Sequence, residues 1–431
     1  MSNVRDRIDL AIARVDREIA GVLDAVLHHP ELQALEAAWR GLAFVVEHVD
    51  FAQNVEVALW SCSKAELQAD FADQVDVTRT RFFHTVYTAE FGQHGGRPYG
   101  AVLVDTAVDG SAADVALLRS LASVGAMAHA PVLVAASPRL LRLGTFAELQ
   151  ALTEVNAIFE HPSAVRWNAL RATDDCRYLG VLLPRVLMRP PYSEKGVAAT
   201  SFVYDEAIDT TEDRLWGSPI FAFAVRVADS FARFRSYAGV LGTFDDAPPV
   251  RELHPALGAG HVKPGVEVVL SRRLEQRLSE LGFIPMTWDP VRSTIRFTTA
   301  NSVQLPRTFG SSDGGEAATL NFLLGTRLPF LLLASRFAHY LKVLEREKLG
   351  AHRTAAEMEQ DLNDWLAQYV VVMDAASPAT RLKYPLRNGR VKVSDVEGSA
   401  GLYRMEVMLQ PHLRYMRQAV TLSVSGRIEK K

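Results

Sequence analysis

Residues 100–136 read GAVLVDTAVDGSAADVALLRSLASVGAMAHAPVLVAA, and two different periods meet in this one stretch. AVLVD (101–105) is a continuous apolar run of strand length that ends in an aspartate. Ser111 and Asp114 then open a helix that continues through Leu117, Leu118, Leu121 and Val124 at helical spacing. PVLVAA (131–136) is a second buried strand, and YLGVLL (178–183) a third. Strands without polar alternation bury both faces, and intervening helices supply the cover. An α/β fold with a mostly parallel central sheet flanked by helices is therefore predicted.

Upstream of this unit, Val4, Ile8, Ile12, Val15, Ile19, Val22 and Val26 recur at three- and four-residue steps, the mark of an amphipathic helix. His28-His29-Pro30 breaks it, and Pro30 opens a second helix carrying Leu32, Leu35, Trp39, Leu42 and Val46. NVEVALW (54–60) reads as a strand, Ser63 and Glu66 as a capping box, and 78–91 as a helix. Downstream, 184–196 is a Pro/Gly-interrupted excursion and 216–236 a long helix. A Pro- and Gly-rich loop spans 242–265, and the charged helix 271–281 precedes two short strands. SSDGGE (311–316) marks a domain boundary. Helices over 316–349 and 354–372 follow, broken or kinked near Pro329, then strands over 389–396, 402–410 and 417–428. In the last strand Val420, Leu422, Val424 and Ile428 share one parity, as in a strand with one buried face. The expected organisation is a helical segment over 1–50, an α/β domain over 51–310 and an α+β domain over 311–431 with terminal strands.

Composition narrows the function. A net charge of −3 argues against general nucleic-acid affinity. Cys62 and Cys176, the two cysteines, form no disulfide framework and suit a reducing compartment. The N-terminus has charges threaded through it, so it does not read as a signal peptide, and a cytoplasmic protein without membrane insertion is expected. The glycines of GQHGGRPYG (92–100) precede the strand, whereas phosphate loops place them after it with a lysine following. Asp105, Asp109 and Asp114 follow the strand and could hold Mg²⁺; equally, Asp109-Gly110 forms a turn and Asp114 belongs to a helix N-terminus. The histidines show no metal spacing and the serines no nucleophile elbow. No catalytic, cofactor-binding or metal site is expected. In the helix 271–281, Arg272, Arg273, Glu275, Arg277 and Glu280 surround only Leu274, Leu278 and Leu281, a pattern that fits either a solvated face or a partner contact.

Taken in order, several stretches carry a family likeness. They are HHPELQALEAAWRGL (28–42), EFGQHGGRPYGAVLVD (90–105), DVALLRSLASVGAMAHAPVLVAASPRLL (114–141) and RYLGVLLPRVLMRPPY (177–192). LSRRLEQRLSELGFIP (270–285), NSVQLPR (301–307), RLPFLLLASRFAHYLKVLEREKLG (327–350), LNDWLAQYV (362–370) and GLYRMEVMLQPHLRYMRQAVTLSVSGRI (401–428) continue it. The chain resembles, along nearly its whole length, the large subunit of the type VI secretion contractile sheath, the TssC/VipB family. The resemblance implies a contractile-tail-sheath-like fold without enzymatic activity or cofactor. It implies co-polymerisation with a small sheath subunit (TssB/VipA) around an Hcp tube, contacts to neighbouring protomers and a baseplate, and recycling of contracted sheath by a ClpV-type AAA+ ATPase through the small subunit. Under it, the strand 417–428 becomes the candidate for exchange between protomers. Arg272, Arg273, Glu275, Arg277 and Glu280 become candidates for meeting the tube. The chain departs from the family in having few residues before Leu27 and in TAVDG (106–110), which replaces an aromatic-rich stretch. The alternative is thus an accessory large-subunit paralogue that caps the sheath or binds the baseplate without polymerising.

Overall fold

A computed structural model describes residues 2–93, 95–152, 154–192, 204–241, 265–292, 294–310, 312–348, 354–373, 376–395, 402–412 and 422–429. Two long helices come first, α1 (Ser2–Leu27) and α2 (Pro30–His48). Pro30 occupies the first turn of α2, where its missing N–H leaves no hydrogen bond unmade. The capping box of Ser63 and Glu66 opens α3 (Lys64–Ala72). α4 (Arg81–Phe83) runs on as a π turn, His84–Thr88.

The sheet-building unit follows as β1 (Val102–Val108), α5 (Ala112–Ala128) and β2 (Val132–Ala136). α6 (Asn156–Glu160) and α7 (Val165–Arg171) lead to β3 (Leu179–Leu183). β4 (Val186–Leu187) pairs antiparallel with β5 (Trp216–Gly217) before α8 (Ile220–Phe234). α9 (Arg272–Glu280) feeds β6 (Phe283–Pro285), and β7 (Thr287–Asp289) and β8 (Thr294–Arg296) form a small hairpin. The central sheet has the order β1-β2-β3-β6 and is parallel throughout. β2 and β3 are buried at every position, as their unbroken apolar runs predict.

Alternating residues of these strands enter two cores. Val132, Val134, Leu179, Val181 and Phe283 face Leu118 and Leu121 of α5 and Trp167 and Leu170 of α7. Leu133, Leu182 and Ile284 face Phe223 of α8 and Leu328. Close approach on this second side depends on two glycines. A Cβ at Gly41 would stand 2.2 Å from the Phe221 ring, so α2 can lie against α8 only without one. At Gly180 it would stand 2.7 Å from Leu133 Cδ2 and 2.8 Å from Leu328 Cδ1.

The C-terminal part comprises α10 (Asp313–Gly325), α11 (Leu328–Lys348), α12 (Ala355–Ala367) and α13 (Pro378–Lys383). An antiparallel sheet follows, β9 (Leu386–Asp395), β10 (Leu402–Pro411) and β11 (Leu422–Glu429), with β10 central. Leu341, Leu362 and Leu366 of α11 and α12 pack on Val391, Val407 and Leu409.

Several local expectations differ from the structure. Residues 54–60 join no ladder among the described residues, and Val57, Leu59 and Trp60 are exposed. Their composition suits a strand, but no neighbouring strand pairs with them, and a strand needs a partner for its backbone. The excursion after β3 contains the two-residue β4, too short to leave a periodic signal. Three short strands follow α9, and the first extends the main sheet. The break between α10 and α11 falls at Thr326–Arg327; Pro329 lies in the first turn of α11, where proline is tolerated.

Gly180→Val is expected to lower unfolding free energy by about 1–3 kcal/mol through overpacking between Leu133 and Leu328. Urea titration of the purified chain checks this, and an unchanged midpoint would mean that the two faces are less tightly packed than described.

Candidate functional site

The glycine loop and the aspartates after β1 resolve into structural devices. Gly95 takes φ +81°, and the Arg97 N–H donates to Glu90 Oε2 at 2.8 Å, folding the loop back on the preceding turn. Asp114 is buried and accepts from the Asp109 N–H at 2.8 Å, from Lys64 Nζ and from Gln68 Nε2. The Ser111 N–H holds the Asp109 carboxyl below its usual range. Asp105 is not drawn into this cluster, and desolvation raises its pKa. Among the described residues no group of three or more His, Cys, Asp or Glu is placed to hold a metal.

The histidines near α5 act in its termination. His129 caps the helix in the left-handed conformation, φ +50°, with Nδ1 3.0 Å from the Tyr178 hydroxyl. His339 of α11 is buried, with Nε2 2.9 Å from the Ala128 carbonyl. Burial pushes its pKa down to about 3, against the opposing pull of that carbonyl.

α9 presents a mixed surface. The Ser271 hydroxyl caps it by accepting from the Leu274 N–H at 3.3 Å, and Leu274 and Leu278 sink into the core beneath the sheet. Arg272, Arg273 and Glu280 are exposed. Glu280 Oε1 accepts from Gln276 Nε2 at 3.1 Å, and Arg277 pairs with Glu154 at 2.8 Å. Glu275 is instead buried, its Oε1 without a hydrogen-bond partner among the described residues, and burial raises its pKa although Arg272 opposes the shift. Of the five charged residues singled out by pattern, three point outward together, Arg277 is tied to a neighbour and Glu275 is withdrawn. Glu275 lies beside Leu274 and one turn before the buried Ser279, so the inward face is wider than its leucines indicate.

β11 lies at the edge of its sheet. It pairs antiparallel with β10, setting Leu422 opposite Leu409, Val424 opposite Val407 and Ile428 opposite Tyr403. No strand pairs with its outer edge among the described residues. Val420 and the rest of 413–421 lie outside the described residues.

A buried ionic knot joins the start of α2 to the excursion after β4, and sequence reading did not find it. Arg189 donates to Glu206 Oε2 at 2.6 Å and to Glu36 Oε1 at 3.0 Å, while His28 Nε2 lies 3.2 Å from Glu206 Oε1. Burial opposes ionisation of Glu206, but the Arg189 hydrogen bonds and the Tyr192 N–H prevail and hold its carboxyl below the usual range. Nearby, Arg185 bridges Glu267 and Glu212. The partners are up to 178 residues apart, so no local spacing could have revealed them.

Comparison with known proteins places this geometry. Residues 9–304 match the family model described as the EvpB/VC_A0108 tail sheath N-terminal domain (VipB), and residues 317–428 match the tail sheath gpW/gp25-like domain of the same name. The type VI secretion system sheath protein TssC1 of Pseudomonas aeruginosa is 32% identical over 426 residues, covering 97% of this chain and 84% of that protein.

The depressed pKa of His339 sets a pH dependence. The unfolded imidazole takes up a proton near pH 6.5, whereas the folded one resists until about 3. Stability from this site is complete above about 6.5 and declines as the pH falls toward the folded value. His339→Gln is expected to flatten the fall in urea midpoint between about pH 6.5 and 4.5. An equally steep fall in the variant would assign that dependence elsewhere.

Proposed function

The chain belongs to the VipB tail sheath family, and from that premise we propose that it is a structural large subunit of a contractile secretion sheath rather than an enzyme. It co-polymerises with a small sheath subunit of the TssB/VipA kind around an Hcp tube. Contraction of the polymer propels the tube away from a baseplate, and a ClpV-type ATPase recycles contracted sheath through the small subunit. The observation that carries this reading is likeness to a type VI sheath protein along 97% of the chain. The family matches end at 304 and resume at 317, which supports dividing the chain at 311–316.

Two surfaces support the assembly roles. β11 leaves a row of edge N–H and C=O groups for strand addition from a neighbouring protomer, so Leu422, Val424 and Ile428 belong to a shared sheet, with Val420 preceding them. Backbone pairing of this kind tethers protomers while their bodies reorient. Arg272, Arg273 and Glu280 offer the tube a polar contact, with Arg277 and the buried Glu275 supporting the helix behind it. An exposed charged contact is modest and screened by salt, which suits a surface that must let go on contraction.

Two variants test these roles in cells co-expressing the small subunit. Deletion of 417–431 is expected to leave a folded, soluble body and abolish polymer in a sedimentation assay; polymer that still pellets would remove β11 from the exchange. Arg272→Glu with Arg273→Glu is expected to weaken tube recruitment by about tenfold, roughly 1.4 kcal/mol, without changing the melting midpoint. Unaltered recruitment would remove α9 from the tube contact.

A further inference from the structure

The two edges of the antiparallel sheet are treated differently. β10 is central, so β9 and β11 each turn a row of backbone N–H and C=O groups away from it. Along β9 that row is met by side chains of α12. The Val391 N–H donates to Asn363 Oδ1 at 2.8 Å, and Asn363 Nδ2 donates back to the Val391 carbonyl at 2.7 Å. Two residues on, the Val393 N–H donates to Glu359 Oε2 at 2.9 Å. Glu359 and Asn363 stand one turn apart, and Asn363 Nδ2 also donates to the Glu359 carbonyl at 2.7 Å. At the start of β9 the main chain does the same work. The Leu386 N–H donates to the Tyr369 carbonyl at 3.2 Å, and the Val371 N–H donates to the Leu386 carbonyl at 2.9 Å.

The chemistry at position 363 is specific. A carboxamide offers a donor and an acceptor together, as a peptide group does, so Asn363 occupies Val391 as a neighbouring strand would. Glu359, Asn363 and Leu366 form one stripe of α12, and Gly389 lets that stripe approach, since a Cβ there would stand 2.8 Å from Leu366 Cδ2. An apolar residue at 363 could pack equally well but would leave both Val391 groups open. An open β9 would find its complement in a second copy of itself. Antiparallel pairing of two β9 edges about Lys392 is isologous and closes as a dimer, whereas addition at β11 is heterologous and can continue. Lys392 is exposed and would then face Lys392 of the other copy, a second deterrent.

We propose that Asn363 and Glu359 are edge-sealing residues that make the C-terminal sheet one-ended, so that strand addition is confined to β11 and dead-end pairing of β9 with a second copy is suppressed. This rests on the reading of β11 as the exchange edge and adds the residues that set its direction. The seal is made within the chain, so it is in place before any partner arrives.

The test uses the full chain carrying Cys62→Ser, which removes the exposed thiol, and Lys392→Cys, which puts a thiol at the centre of any β9–β9 pair. Adding Asn363→Leu with Glu359→Ala is expected to raise the disulfide-linked dimer by about tenfold under mild oxidation, while Asp364→Ala on the exposed side of α12 leaves it unchanged. No increase in the folded, unsealed chain, or equal dimer in the sealed one, overturns the inference. Hydrogen exchange of the unmodified chain tests the seal without a variant. The Val391 and Val393 amides are expected to exchange as slowly as those of the β9–β10 ladder, and fast exchange overturns the seal. In cells with the small subunit, the unsealed chain with Lys392 retained is expected to pellet less polymer. Full polymer there overturns the claim that the seal protects growth. Absence of tubules from the unmodified pair overturns the sheath reading alone, because dimer and exchange are read on the chain by itself.

Discussion

Burial of β2 and β3 on both faces is the constraint from which the rest of the architecture follows. Each residue of these strands must find an apolar neighbour above or below the sheet. The two parities consequently demand two helical layers, α5 with α7 on one side and α8 with the start of α11 on the other. Dispersion and hydrophobic burial then act across a close-packed double interface that transmits displacement rather than absorbing it.

The second layer shows how the C-terminal part is tied to that body. α11 begins against the sheet, where Leu328 packs above Gly180, and farther along its Phe337 and Leu341 enter the core beneath β9 and β10. One continuous helix thus links the parallel sheet to the antiparallel sheet whose edge strand is β11. The ionic knot performs a comparable task at the other end. Arg189 and Glu206 are largely withdrawn from solvent, and removing Arg189 leaves the buried Glu206 carboxylate without its guanidinium, a loss that typically costs about 3–5 kcal/mol, whereas Arg189 keeps Glu36 when Glu206 is removed. Its contribution is to orientation, because it fixes how α1 leaves the body.

The parallel sheet was legible because continuous apolar runs such as PVLVAA have few physical alternatives. α1 was equally legible as an amphipathic helix, but its periodicity is silent on whether the apolar face turns inward, and here it turns outward. NVEVALW misled because β-forming composition does not supply a partner strand. On α9 the alternation of charge and leucine located the helix correctly and misassigned Glu275, since burial depends on what packs from elsewhere in the chain. The knot of His28, Glu36, Arg189 and Glu206 left no trace in local sequence, being made entirely by long-range packing.

The central claim is that this chain builds a sheath, and electron microscopy of the chain co-expressed with its small subunit tests it most directly. The account predicts long hollow tubules of uniform diameter with a helical repeat. A discrete complex of fixed size, with no tubules at any concentration, would contradict it.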